Sequence, residues 1–276
     1  MIWLKGKGIE FFIKYTKEVM EKNLSFLLEK CSDVLDSCFE LLNDIIDYSM
    51  LLLPRTSSEE VKKAMLSKYM MYPMLYNVIY PNAQYACVAI LQGAIPQAYY
   101  CLRTLIEAMA IAVYADTHSK LKDLNWDRKI EEKGVRNATL FGIKDSLRKM
   151  FTKVFGNKRG NEYLELLLHT YESLSAWIHP VAKIRIESEQ SGEEYAAGLL
   201  KAIVLTWNKH GIPPSYGILI PMEYNNADVE DLRYLKENIE AVRLSLAILT
   251  YVWSIDKDVD KEGVGKLLER IIKESS

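Results

Sequence analysis

The chain has 276 residues, of which 49% are hydrophobic and 26% charged, and its formal net charge is −2 at pH 7. This is ordinary globular composition in a chain long enough to bury a sizeable core. The charge gives no overall reason to expect nucleic acid or an anionic membrane as a partner, and 13 Gly and 8 Pro are few for an all-β protein of this length.

The first predicted element covers residues 9–53, where apolar residues recur with the period of a helix. Ser32 and Asp33 are good helix caps, so we expect the segment to split at this point. Pro54 ends it, because a proline cannot continue a helix. The N-terminal stretch MIWLKGKGIEFFIKYTKE lacks the long apolar run and the small-residue cleavage site of a secretory signal, so we do not interpret it as one.

A second helical region is predicted from residue 57 to residue 80. Ser57 and Glu60 have the spacing of a capping box, which opens a helix. We expect this region to break near Pro73.

The stretch 83–116, AQYACVAILQGAIPQAYYCLRTLIEAMAIAVYAD, is apolar on almost every side. Such a helix is normally the middle of a large core, and Gly93 and Pro96 are expected to kink or divide it. Its later half carries one charged pair, Arg103 and Glu107, one helical turn apart. Two charges at mid-span argue against a membrane helix. We therefore predict the buried central helix of a cytoplasmic protein.

Residues 117–138 are polar, with a short helix expected at about 124–133, and we interpret them as a surface connection within one domain that covers 1–276. An amphipathic helix is predicted over 140–155, ended by Gly156. The sequence GNKRGN that follows predicts a basic turn.

Asn161 is predicted to cap a helix over 162–178, ended by Pro180. On a helical wheel Ser175 and His179 lie at the edge of its buried side.

Later elements are weaker in pattern. Residues 183–190 and 216–221 look strand-like and could pair as a small two-stranded flap. A second capping box at Ser191 opens a helix to about Lys209, and Asn226 caps a long helix that is followed by a last one, at about 261–273. The fold class predicted from the whole pattern is all-α, with about nine or ten helices around the central one.

One candidate site emerges on the central helix. Tyrosines lie on the same face as Arg103 and Glu107, and the two edge residues of the 162–178 helix could approach them. The hypothetical ligand-binding set is Arg103, Glu107, Tyr100, Tyr114, Ser175 and His179. Arginine could bind a phosphate or carboxylate in a bidentate way, and His179 could act as an acid or base. The other interpretation is a structural network that pins the central helix to the 162–178 helix. A non-enzymatic binding scaffold predicts that Arg103→Ala destabilises folding by several (roughly 3–5) kcal/mol.

Two short stretches, CLRTLIEA at 101–108 and YESLSAWIHP at 171–180, carry a resemblance. Together they resemble a family of uncharacterised, mostly prokaryotic all-helical proteins, in which an Arg-x-Leu-x-Glu-Ala helix precedes a Leu-Ser-x-x-x-His segment. The resemblance marks Arg103, Glu107 and Ser175 together with His179, and it brings no assigned chemistry.

The HEPN domains give a second comparison, because many are helical ribonucleases with an Arg placed four to six residues before a His. No arginine precedes His118, His169, His179 or His210 at that spacing. The sequence still allows a looser form of this Arg–His motif, in which folding brings Arg103 within about 8 Å of His179. The leading function is thus a non-enzymatic scaffold or binding protein, which could form a homo-oligomer through its apolar helices. The alternative is an RNA- or nucleotide-processing protein.

Other patterns favour structure over chemistry. Glu165, His169 and Glu172 share a helix face and could hold a metal ion, but we interpret them as a solvated face and expect no metal. A basic face that could touch nucleic acid is interpreted in the same way; it comprises Lys144, Arg148, Lys149, Lys153, Lys158 and Arg159. Phosphate-loop and dinucleotide motifs are absent from the sequence, so we expect no cofactor.

The four cysteines, Cys31, Cys38, Cys87 and Cys101, have no zinc-like spacing. We interpret all four as small core residues in a reducing compartment.

Overall fold

The computed structural model describes residues 7–178 and 222–274, with side chains from residues 13–176 and 222–274. The all-α prediction is confirmed, and the described ranges contain no strand. The two proposed strands and the helix predicted from Ser191 to Lys209 lie outside those ranges. The α-helices are α1 Lys7–Lys30, α2 Ser32–Leu51, α3 Glu59–Lys68, α4 Met71–Met74, α5 Tyr80–Leu91, α6 Ile95–Thr117, α7 Trp126–Glu131, α8 Lys133–Arg136, α9 Lys144–Phe155, α10 Asn157–Ile178, α11 Val229–Ser254 and α12 Lys261–Glu274.

The predicted split of the first long segment is confirmed. Helix α1 ends at Lys30 and α2 begins at Ser32, with Cys31 between them at φ −148° and ψ 45°. The predicted caps Ser32 and Asp33 are wrong, because both lie inside the first turn of α2 and no side chain caps this helix. The capping prediction for α3 is wrong by one residue. The hydroxyl of Ser58, not of Ser57, accepts the cap hydrogen bond, because Ser58 has the extended backbone that a cap requires.

The break predicted near Pro73 occurs earlier, at Tyr69, whose backbone is extended (φ −93°, ψ 128°). Pro73 itself lies inside the short helix α4. A π-helical turn, Leu75–Ile79, joins α4 to α5 directly. Because a proline has no N–H to donate, the regular hydrogen-bond ladder is interrupted here and the wider turn can form.

Gly93 divides the predicted central helix into α5 and α6, which pack against each other. Its φ of +70° is a conformation that favours glycine. A Cβ at this position would also lie 2.0 Å from the carbonyl oxygen of Met222. The backbone turn and the close approach of the 222–224 segment therefore both require glycine.

Helix α6 is the buried centre of the described structure, as predicted. It contacts α4, the π turn, α5, α9, α10 and α11. Its buried residues are Ile95, Ala98, Tyr99, Cys101, Leu102, Leu105, Ile106, Ala108, Met109, Ala110, Ala112, Val113, Ala115 and Asp116. Helix α11 has an equally long buried face and also packs on α2, α10 and α12. These two helices hold the rest in place by burying large apolar side chains, each of which contributes about 1.5–3 kcal/mol.

The connection between α9 and α10 is tighter than the sequence suggested. Gly156 ends α9 with φ +80°, as predicted. The expected basic turn and the cap at Asn161 are wrong, because α10 already begins at Asn157. Gly160 explains the difference, since a Cβ there would lie 2.7 Å from the backbone of Phe151. Its missing side chain lets the first turn of α10 lie directly against α9.

The long helix α11 begins close to its predicted position. Asn225, one residue before the predicted cap Asn226, forms a capping box with Asp228 over a short 3-10 turn. The segment that leads into it is held by Asn23 of α1, which binds the backbone of Met222 and Tyr224 at 2.8 and 2.9 Å. This buried asparagine was not predicted from the sequence.

Candidate functional site

Arg103 and Glu107 of α6 meet α10 at a tyrosine. Arg103 Nη2 donates a hydrogen bond to the hydroxyl of Tyr171 at 2.6 Å, and this hydroxyl donates to Glu107 Oε1 at 3.1 Å. No direct ion pair joins Arg103 to Glu107 in the part of the chain that the structure describes. The hydroxyl of Tyr171 therefore bridges the two charges.

The Tyr171 ring also positions the guanidinium. Arg103 Cζ lies 4.7 Å from the ring centroid, a cation–π distance, and Phe141 packs edge-on against the same ring at 5.7 Å. Burial raises the pKa of the Tyr171 hydroxyl even though Arg103 lowers it, so the hydroxyl stays protonated and able to donate at neutral pH. We refer to Arg103, Glu107, Phe141 and Tyr171 as the Arg103 cluster.

The guanidinium of Arg103 is only partly used. An arginine has five N–H donors, and a single hydrogen bond from Arg103 is present among the described residues. Its Nε is buried and has no acceptor there. Both Arg103 and Glu107 are half-buried, although the helix that carries them is mostly buried. The remaining donors could bind an anionic group, since unpaired buried donors are costly.

The other predicted site residues are placed differently. Tyr100 is 50% exposed, and Tyr114 packs on His118 with ring centroids 5.0 Å apart. Tyr114 is seven residues beyond Glu107, which is about 10 Å along a helix. The wheel placed these tyrosines together because it records angle and ignores distance along the axis. Among the described residues, neither forms a hydrogen bond or a ring contact with the Arg103 cluster.

Ser175 lies one turn after Tyr171, and its hydroxyl proton is already donated within the helix. Its hydroxyl donates to the backbone oxygen of Tyr171 at 2.7 Å, a bond within α10. His179 lies outside the described residues. Tyr171 was not among the predicted site residues, so its role was missed. The available signal was general: a buried tyrosine hydroxyl usually finds a partner, and the nearest charged groups were Arg103 and Glu107.

A second charged cluster at the end of α6 was not predicted. Asp116 is 1% exposed and accepts hydrogen bonds from the backbone N–H groups of Met70 and Met71 at 2.8 and 3.0 Å. It also accepts from Lys129 Nζ at 2.6 Å and from Trp253 Nε1 at 2.9 Å. Every face of this carboxylate is therefore occupied. We refer to these residues as the Asp116 cluster.

Lys257 lies beside the Asp116 cluster and has no carboxylate partner in the described ranges. Its Nζ is 5.1 Å from the ring centroid of Tyr69 and 5.8 Å from that of Trp253. Burial lowers the pKa of its ammonium, and Asp116 offsets part of that effect. The charge of Asp116 and the faces of the two rings therefore both lie close enough to stabilise this cation.

A third cluster joins α2, α11 and α12. Arg243 is 5% exposed and binds Asp44 at 2.7 Å, Glu274 at 2.8 Å and also Glu40. Arg270 binds the other oxygen of Asp44 at 2.7 Å. Both arginines are thus committed to carboxylates, and the cluster connects three helices.

The remaining candidates lie on the surface. Glu165, His169 and Glu172 are exposed, as a solvated face predicts, and the described residues contain no group of three metal-binding side chains. In the basic face Arg148 pairs with Asp145 and Lys153 with Asp256.

Helix α6 is also, among the described helices, the one long and apolar enough to cross a membrane by length and composition. In its most apolar window 67% of the residues are buried inside the protein. The core helix of a soluble protein has the same properties, and the absence of a membrane partner stays a prediction.

Comparisons with known proteins add no family. No protein-family model matches the sequence, and neither the curated proteins nor the solved structures contain a match.

Proposed function

We propose that this protein is a helical binding protein whose site is the Arg103 cluster, and that the group it binds is a carboxylate or a phosphate. The observation that carries the proposal is the unused capacity of the Arg103 guanidinium. It makes one hydrogen bond within the described ranges, while its Nε is buried without an acceptor. A planar guanidinium matches the two oxygens of a carboxylate or phosphate.

Arg103 is also held ready for a ligand. The Tyr171 hydroxyl and ring fix its position from one side, and Phe141 supports the ring. A side chain that is already ordered loses less conformational entropy on binding. In addition, a half-buried charge is screened less than one in open water, which strengthens its attraction to an anion.

Glu107 narrows the choice of ligand. One of its oxygens accepts from Tyr171, and its second oxygen has no hydrogen-bond partner among the side chains described. A ligand with two or more negative charges would be repelled by this carboxylate. A singly charged ligand that also carries a hydroxyl or amine could bind Arg103 through its anion and donate to Glu107.

The test is isothermal titration calorimetry of the full chain with acetate, glycolate and inorganic phosphate. We expect glycolate, which has a hydroxyl beside its carboxylate, to bind more tightly than acetate. Arg103→Ala should weaken binding by at least about tenfold, which corresponds to 1.4 kcal/mol. Arg103→Lys should weaken it too, since lysine cannot form the paired contact.

The matched control is Arg148→Ala, because Arg148 is an arginine on the neighbouring helix α9 that pairs with Asp145 at the surface. Equal binding to wild-type and Arg103→Ala protein, or no binding of the three anions, would contradict the proposal. Cleavage of a short RNA that is lost in both Arg103→Ala and His179→Ala would instead favour the nucleotide-processing alternative.

The other expectations from the sequence accompany this proposal. A cytoplasmic location and a homo-oligomer formed through apolar helices are consistent with a small-ligand binding protein. Sedimentation velocity with and without glycolate would determine whether the bound site and the assembly are linked.

A further inference from the structure

Two of the four cysteines face each other across the contact between α2 and α5. Cys87 Sγ lies 3.9 Å from the backbone oxygen of Cys38, to which it donates a weak hydrogen bond. The four cysteines are free thiols. The Cys101 thiol instead accepts a hydrogen bond from Gln97 of its own helix.

The two thiols of this pair differ in exposure. Cys38 is 4% exposed, whereas Cys87 is half-buried, so the earlier interpretation of Cys87 as a core residue is wrong. A small reagent in solution therefore reaches Cys87 first. Cys87 lies at the edge of an exposed face of α5, beside Gln84, Tyr85 and Val88, which are all exposed.

The interaction between the two cysteines makes the acidity of their thiols unequal as well. The Cys38 thiol lowers the pKa of Cys87, and the same interaction raises the pKa of Cys38. Because the thiolate is the reactive form, Cys87 is the better nucleophile of the two at neutral pH. Burial raises the pKa of Cys31 and Cys101, which leaves them unreactive.

We propose that Cys38 and Cys87 form an oxidation site, in which a peroxide converts the two thiols into a disulfide that joins α2 to α5. The Cys87 thiolate attacks one peroxide oxygen, which breaks the O–O bond, gives a sulfenic acid and releases hydroxide, and this hydroxide takes up the proton that the Cys87 thiol lost and becomes water. The Cys38 thiolate then attacks the Cys87 sulfur and expels hydroxide, which takes up the proton of Cys38 as a second water. Two thiols lose two electrons, and the peroxide gains them.

Such a bond would be transient in the reducing compartment that we expect, where intracellular disulfides are mostly redox-sensing or catalytic. Its structural effect would be to fix α2 against α5, and α5 packs on the central helix α6. The oxidised protein should therefore unfold at a higher temperature than the reduced protein, because the cross-link restricts the unfolded chain.

The experiment treats the full folded chain with hydrogen peroxide, blocks the remaining thiols with N-ethylmaleimide and maps the peptides by mass spectrometry. We expect a peptide pair linked through Cys38 and Cys87, lighter by two hydrogens, which dithiothreitol separates. Cys38→Ser should accumulate Cys87 sulfenic acid, trapped by dimedone. The matched control Cys101→Ser should form the same linked pair as the wild type.

Three results would overturn the proposal: oxidation of Cys87 to a sulfinic acid without any link in the wild type, a link that involves Cys31 or Cys101, or linkage between chains. The peptide map of the wild-type protein tests the proposed disulfide even if a serine variant fails to fold. The binding proposal for Arg103 does not depend on the outcome.

Discussion

The two charged clusters of α6 differ in how completely their hydrogen-bonding groups are used. At the end of the helix, Asp116 is 1% exposed and accepts from two backbone N–H groups, a lysine and a tryptophan. In the middle, Arg103 is half-buried and makes one hydrogen bond to a side chain among the described residues. Helix α6 thus carries one charged group whose hydrogen-bonding capacity is fully used, which we call saturated. It carries a second whose capacity is partly unused, which we call unsaturated.

The difference separates structural charges from candidate binding charges. A buried carboxylate is tolerated only when its hydrogen bonds and its charge are satisfied internally, as those of Asp116 are. A partly exposed arginine with unused donors retains the capacity to bind something else. Whether all hydrogen-bonding groups of a charged side chain are used therefore distinguishes a candidate binding residue from a structural one better than burial or the presence of a charge does.

The largest expected effect comes from breaking the saturated cluster. Asp116→Asn removes the negative charge and leaves Lys129, which is 0% exposed, as an uncompensated buried cation. We expect a loss of about 3–5 kcal/mol in the free energy of unfolding, measured by urea denaturation. The same substitution at Asp145, whose side chain is 88% exposed, should change it by less than about 0.5 kcal/mol. A loss below about 1 kcal/mol for Asp116→Asn would remove the distinction between the clusters.

A smaller effect is expected at the unsaturated cluster. Arg103→Ala removes one hydrogen bond and one cation–π contact, and the bond from Tyr171 to Glu107 can persist. We expect about 1–2 kcal/mol of destabilisation by urea denaturation, less than a fully buried pair would give. A loss as large as that of Asp116→Asn would instead return Arg103 to a structural role, as in the alternative that the sequence left open.

The sequence predicted the helices well because apolar periodicity and prolines act locally. The split at Cys31, the division at Gly93 and the end of α9 at Gly156 all follow from single residues. Errors occurred where tertiary contact decides the boundary. Helix α10 begins at Asn157 because Gly160 can approach the backbone of Phe151, and no local pattern carries that information.

The candidate site was predicted in part, for a related reason. Arg103 and Glu107 were identified because charges within an apolar helix are conspicuous. Tyr171 was missed because its neighbours on α10 define a buried face, and the direction of its hydroxyl depends on how α10 meets α6. Asp116 was missed because its partners Met70, Lys129 and Trp253 come from three distant parts of the chain.

The smallest effect concerns Lys257, which tests whether the Asp116 cluster is saturated as a whole. Burial lowers the pKa of this lysine from its ordinary value of 10.5, so the folded state binds its proton less readily than the unfolded state does. The resulting stability is fully present above the ordinary lysine pKa and is lost as the pH falls through the lowered folded pKa. Lys257→Met removes this dependence, and the stability of the wild type relative to this variant should fall as the pH drops from about 10.5 towards neutral. Urea denaturation across this pH range measures the free energy of unfolding, with Lys261→Met as the exposed control.

The contradicting outcome is a difference in the free energy of unfolding between Lys257→Met and wild type that does not change with pH. It would mean that Tyr69, Trp253 and Asp116 together compensate the ammonium completely, so that Lys257 belongs to the saturated Asp116 cluster.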